Sequence, residues 1–298
     1  MFSWIYNHGI FLYSKTFGNK EKLEDPAWGI VGVPFDGTCS YHAGTRTAPT
    51  MIRDSSYSLE EYNLTYKKSI GNGSFYDLGN IDVVHGSVEE TCSRIENSVK
   101  ELSSLNLKPL LLGGEHTITF PALKALSREY NIKDITLIDF DAHCDMANTC
   151  QGGKFNHATV MRRIFELGPK EIIQIGIRSA SEEEYEFIKS KENIRIFEPC
   201  ELNMDPSSSI RKVIDSIEGP VYISIDCDGF DPAVIPNVGN PFPNGISMDV
   251  FERILPELCK KECIGFDIVE LATNVLGDSS SVTASKVVYD FLTLMLNR

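Results

Sequence analysis

The sequence predicts an α/β fold, with a roughly eight-stranded parallel sheet covered by helices on both faces. Short apolar runs alternate with helical segments along the chain, the pattern of parallel strands joined by crossover helices. Polar, chemistry-bearing residues stand directly behind several of those runs, where open α/β sheets place their ligand crevice. No Pro/Gly/Ser-rich linker divides the 298 residues, so they read as one domain over 1–298.

The strand candidates are, in order, Trp28 to Val33, Ser74 to Leu78, Pro109 to Leu112, Ile135 to Phe140, Ile172 to Ile177, Ile194 to Phe197, Val221 to Ile225 and Ile264 to Ile268. Each is short and predominantly apolar, as expected of a strand buried on both faces. The helix candidates are Ser87 to Ser104, Pro121 to Tyr130, Ser181 to Lys191, Ser208 to Ile217, Met248 to Lys260 and Ser281 to Leu296. Ser87 and Glu90 have the spacing of a capping box.

Apolar residues make up 42% of the chain and charged ones 23%, which suits a soluble protein with a sizeable core. The formal net charge of −14 argues against nucleic-acid binding, which needs a basic footprint; it reads first as solubility and mildly favours a cationic small substrate. No stretch approaches the ~20 apolar residues of a membrane helix. The eight cysteines are scattered, form no CxxC pair and follow no basic-headed secretory leader in Met1 to Phe17, so the expected home is a reducing cytoplasm.

Two acidic clusters carry the chemistry, Asp141-Ala142-His143-Cys144-Asp145 and Asp226-Cys227-Asp228. In extended backbone, residues two apart share a face. Asp141, His143 and Asp145 would then converge, as would Asp226 and Asp228, with Ala142, Cys144 and Cys227 turned away. Gly113-Gly114-Glu115-His116 follows the Pro109 strand, and Asp267 and Glu270 end the last one. So many carboxylates at one rim repel one another unless cations lie among them. Single DxH or DxD pairs are common as turns and caps, but that reading must explain both clusters and His116 together. Two imidazoles with four carboxylates are too oxygen-rich for structural zinc and softer than a magnesium or calcium site. Mn²⁺ fits the set best, with Fe²⁺, Co²⁺ or Zn²⁺ as alternatives. Asp139 reads as the partner orienting a ligand imidazole, and His8, His42 and His85 as ordinary surface or loop residues.

The chain resembles the arginase–agmatinase (ureohydrolase) family, most closely its prokaryotic agmatinases. The resemblance rests on five ordered segments: Gly32-Val33-Pro34-Phe35-Asp36-Gly37 with Gly44-Thr45-Arg46; Gly113 to His116; Asp141 to Asp145; Ser224 to Asp228 with Asp231-Pro232; and Asp267-Ile268-Val269-Glu270. It implies a three-layer α/β/α domain, a homo-oligomer (trimer or hexamer) and two Mn²⁺ ions. By the same resemblance, His116, Asp141, Asp145 and Asp226 would hold one ion. His143, Asp141, Asp226 and Asp228 would hold the other, with Asp141 and Asp226 bridging. A metal-bridging hydroxide would attack a guanidinium carbon and release urea and an amine. Asp145 would orient that nucleophile, Glu270 would pair with the guanidinium, and His157 would shuttle the proton. Without the resemblance, His157 reads as a helix-start residue.

Agmatine, cleaved to putrescine and urea, is the expected substrate; arginine and guanidinobutyrate are alternatives. Met146 and Ala147 give the loop 146–153 an apolar end suited to a methylene chain, and Asn residues punctuate the loop 236–245. A formiminoglutamase would require a basic residue for its substrate's carboxylates. A metal-dependent deacetylase would not require both imidazoles and all four carboxylates. A non-catalytic metal-binding relative is disfavoured by the presence of all six ligand candidates together with Glu270 and His157.

Overall fold

The structure is a computed structural model that describes residues 4–6, 9–18 and 22–298. His8 lies outside the described residues. Among the described residues, eleven strands occur in chain order: β1 Ile5–Tyr6, β2 Ala27–Gly32, β3 Tyr62–Asn63, β4 Lys68–Ser69, β5 Phe75–Ile81, β6 Leu107–Leu112, β7 Thr136–Phe140, β8 Glu171–Ile175, β9 Ile194–Phe197, β10 Val221–Asp226 and β11 Cys263–Val269. All eight expected strands form, with ends shifted by a few residues. β3 and β4 make a separate small hairpin. The main sheet runs β1-β5-β2-β6-β11-β10-β7-β8-β9, parallel throughout except for the two-residue edge strand β1.

Strand alternation sends neighbouring side chains to opposite faces and builds two cores. On β6, Leu110 and Leu112 join one core and Leu111 the other. The first core is closed by Phe251, Ile254 and Phe291 from the helices Met248–Leu258 and Ser279–Leu296. The second is closed by Ile95, Val99 and Leu123 from Val88–Ser104 and Thr119–Leu126. The result is the expected three-layer α/β/α architecture.

The helix Val88–Ser104 begins where expected, with Ser87 Oγ accepting from Glu90 N at 3.2 Å. Glu90 does not complete a capping box; it pairs with Arg94 instead, at 3.3 Å. Ser181 and Glu184 do form one, at the start of Glu182–Lys189. Three helices escape the sequence pattern: Ala48–Ser56, Val160–Leu167 and Pro199–Met204. In the first, Arg53, Ser55 and Ser56 occupy the buried face and break the apolar period. Arg53 is buried because Asp77, Asn80 Oδ1 and the Gly79 carbonyl take its donors at 2.6–2.8 Å.

Sheet order positions the site. The four strands followed by the acidic and histidine segments, β6, β11, β10 and β7, lie side by side at the sheet centre. The register also aligns Asp267, Ser224, Asp139 and Gln174 across β11, β10, β7 and β8. A buried polar row therefore runs beneath the site, on the face of the second core.

Candidate active site

At the carboxyl end of β6 the chain must pass close to Phe35. A Cβ on Gly114 would stand 1.8 Å from the Phe35 carbonyl oxygen, so only glycine fits. This lets Glu115 N bond the same carbonyl at 2.8 Å and delivers His116 into the interior. Glu270 braces it: its amide donates to Gly114 O at 2.9 Å, and its Oε1 accepts from His116 N at 2.7 Å. Glu270 and Asp145 both adopt left-handed backbone, φ 62° and 48°. Non-glycine residues held there are strained, and such strain collects at functional sites.

His116 is fully buried, and its Nδ1 faces three carboxylate oxygens: Asp141 Oδ2 at 3.2 Å, Asp145 Oδ2 at 3.3 Å and Asp226 Oδ2 at 3.3 Å. Nδ1 and Asp141 Oδ2 have no hydrogen-bond partner. The other ring nitrogen is 3.0 Å from Ser224 Oγ, which donates to Asp267 Oδ1 at 2.6 Å. Ser224 can then only accept at the imidazole, so Nε2 carries a proton and, in the neutral ring, Nδ1 presents a lone pair. Asp139, expected to orient this ring, is held by Gln174 at 3.0 Å, but its Oδ1 stands 3.6 Å from Nε2 with no hydrogen-bond partner, so Ser224 rather than Asp139 fixes the imidazole.

A second group adjoins the first. His143 Nδ1 lies 3.1 Å from Asp228 Oδ2 and 3.7 Å from Asp141 Oδ1, so Asp141 turns one oxygen to each imidazole. Extended backbone is not what brings Asp226 and Asp228 together. Cys227–Gly229 is a 3₁₀ turn in which Asp226 Oδ1 accepts from Asp228 N at 2.8 Å.

The charges are frustrated as they stand. Burial, then Asp228 and Asp141, push Asp226 well above the usual carboxylate range, and burial with Asp141 lifts Asp145 to about 7. Burial opposes charging His143, but Asp141 and Asp228 overrule it and hold the ring up to about 12. Orphaned, converging N and O donors with this much unneutralised charge fit divalent cations, one per imidazole.

A cleft of about 170 Å³ opens above this cluster. Asp145, Asp226, Asp228, His143 and Glu270 border it, with Ser40, Tyr41, His42, His157, Glu184 and Asn240 around the walls. Two expectations change here. His42 is an exposed loop residue, but it lines the cleft and its ring meets Tyr41 edge-on at 4.0 Å. Met146 offers the cleft no apolar surface; it is 1% exposed within the second core, and its N–H donates to Glu184 Oε1 at 3.0 Å.

The sequence of this chain matches the model of the arginase family over residues 26–293. It is 40% identical to the N(1)-aminopropylagmatine ureohydrolase of Thermococcus kodakarensis, over 87% of this chain and 88% of that protein. It is 36% identical to the agmatinase of Pyrococcus horikoshii, over 90% of this chain and 91% of that protein. The chain belongs to the arginase family. It is an arginase-family hydrolase with agmatinase-like relatives. Its fold matches the agmatine ureohydrolase of Thermoplasma volcanium with a TM-score of 0.83 and 33% identity, covering 98% of this chain and 95% of that one.

In this arginase-family chain, all eight residues expected at the site border the cleft or the cluster at its floor. Sequence reasoning missed Thr38, Ser40, Glu184 and Asn240. His157 stands between the first two, with Thr38 Oγ1 3.3 Å from Nδ1 and Ser40 Oγ 3.0 Å from Nε2. Asn240 Nδ2 meets His143 Nε2 at 3.1 Å. Thr38 adjoins the Gly32 to Gly37 segment, a signal of sorts; Asn240 had none beyond its loop.

Proposed function

We propose that this chain cleaves agmatine to putrescine and urea with two Mn²⁺ ions. The observation that carries the substrate reading is the cleft's charge. Carboxylates line it at Asp145, Asp226, Asp228, Glu184 and Glu270, and among the described residues no Lys or Arg does. A guanidino amine without a carboxylate suits such walls; arginine's α-carboxylate or a formiminoglutamate would meet no cation. A second reading is an agmatine extended by an aminopropyl arm, as in the name of the Thermococcus relative. The cleft opens beside Tyr41, 69% exposed, where one more cationic segment could emerge.

His116, Asp141, Asp145 and Asp226 would hold one ion, and His143, Asp141, Asp226 and Asp228 the other. The ions would supply positive charge that neutralises the carboxylates and acidifies water near neutral pH. Glu270, with Oε1 fixed by His116 N–H, would accept guanidinium N–H donors and orient the substrate carbon toward Asp145. His157 would carry a proton at Nε2 to the departing amine. Burial, then the neighbouring His116 and His143, hold His157 down to about 4.

Metal analysis with a urea assay tests this, using agmatine, N(1)-aminopropylagmatine, guanidinobutyrate and arginine, plus a formamide assay on formiminoglutamate. Mn²⁺-loaded protein releasing neither urea nor formamide refutes the enzyme reading, and formamide without urea refutes the ureohydrolase reading. Preference for arginine refutes the charge argument.

A further inference from the structure

Glu115 is buried completely one residue before His116. It accepts three donors: Thr38 N at 2.7 Å, Thr117 Oγ1 at 2.6 Å and Thr38 Oγ1 in a short contact. A hydroxyl has one proton. With that proton given to Glu115, Thr38 Oγ1 has only lone pairs left for His157. Two His157 groups face them, the backbone N–H and ring Nδ1, each at 3.3 Å. The ring must therefore donate from Nδ1, which leaves Nε2 as the proton-accepting atom. Nε2 lies on the cleft side, where Ser40 is its only hydrogen-bond neighbour among the described residues.

We propose that Thr38, anchored by Glu115, is a positioning residue that fixes the tautomer and orientation of His157. This rests on the reading of His157 as the proton carrier. A carboxylate, a hydroxyl and an imidazole in line do here what a carboxylate hydrogen-bonded directly to a catalytic histidine does elsewhere. The hydroxyl spacer lets Glu115 act on His157 without lining the cleft, although its charge is still felt at Glu270.

The test is a double-mutant cycle of Thr38→Val and His157→Ala, read as kcat and KM for urea release, with metal content and thermal midpoint measured on every variant. Thr38→Val alone should lower kcat by about 10-fold or more, within the ~10²–10⁴-fold attributable to the proton carrier itself. KM and metal content should stay near wild type. Thr38→Ser, which keeps the hydroxyl, should recover most of the rate. In the His157→Ala background, Thr38→Val should cost nothing further. An equal loss in both backgrounds would show that Thr38 acts on packing and overturn the proposal, as would a Thr38→Val enzyme with wild-type kcat. A His157→Ala enzyme with wild-type kcat would instead overturn the proton-carrier reading on which the proposal stands.

Discussion

Asp267→Asn should weaken metal binding although Asp267 touches no proposed ion. The carboxylate accepts three hydroxyls, from Ser224 on Oδ1 and from Thr119 and Tyr222 on Oδ2, at 2.6, 2.8 and 2.7 Å. An amide keeps only one accepting oxygen. Turned to keep Thr119 and Tyr222, it points N–H donors at Ser224. Ser224 must then accept from Asn and donate to His116 Nε2, which moves the imidazole proton to Nδ1, the atom facing Asp141, Asp145 and Asp226. Partners behind metal-ligating histidines are worth ~10–100-fold in affinity, or about 1.4–2.8 kcal/mol. The assay is titration of metal-free protein with Mn²⁺ against a competing chelator. Tyr222→Phe is the control, because it leaves the Ser224 bond in place; it should cost about 1 kcal/mol of folding stability and little metal affinity. Equal Mn²⁺ affinity in Asp267→Asn and wild type would refute the tautomer argument.

Asp226→Ala should abolish binding of both ions if Asp226 bridges them, and normal metal content by elemental analysis would remove it from that role. Asp278→Ala should cost about 0.5–2 kcal/mol in denaturant melts at pH 7, since the carboxylate caps Ser279–Leu296 through Ser281 N at 2.8 Å. Burial works against the ionised form of Asp278, but the bonds from Ser281, Thr273 and Asn237 prevail and lower its pKa. That stabilisation is present above the ordinary Asp value of 3.8 and is lost as pH falls through the lower folded value, so the gap between variant and wild type should close in acid. Arg53→Met should cost about 3–5 kcal/mol, because Asp77 loses the guanidinium paired to both its oxygens. A loss under 1 kcal/mol would show that water or a rearranged neighbour takes that place.

Much of the fold was legible because strands buried on both faces are short apolar runs, and those runs are hard to miss. What escaped had a physical cause. Ala48–Ser56 buries Arg53 through ion pairs rather than apolar contact, so no hydrophobic stripe marks it. Met146 looked like a cleft residue because it follows Asp145. The left-handed turn at Asp145 sends the next side chain into the core instead. Asp226 and Asp228 have the spacing of same-face residues on a strand, but a 3₁₀ turn is what pairs them.

The sequence by itself determined the family, the three layers and the donor types at the site, because motifs and strand periodicity are local properties of the chain. Only the tertiary structure decided that β11 and β10 insert between β6 and β7, bringing Glu270 beside His116. It alone aligned Asp267, Ser224, Asp139 and Gln174, each embedded in a separate apolar run, into one polar row. Hydrogen-bond direction and the tautomers of His116 and His157 follow from such neighbours, which lie 108 and 119 residues away in sequence. No periodicity within one segment encodes them.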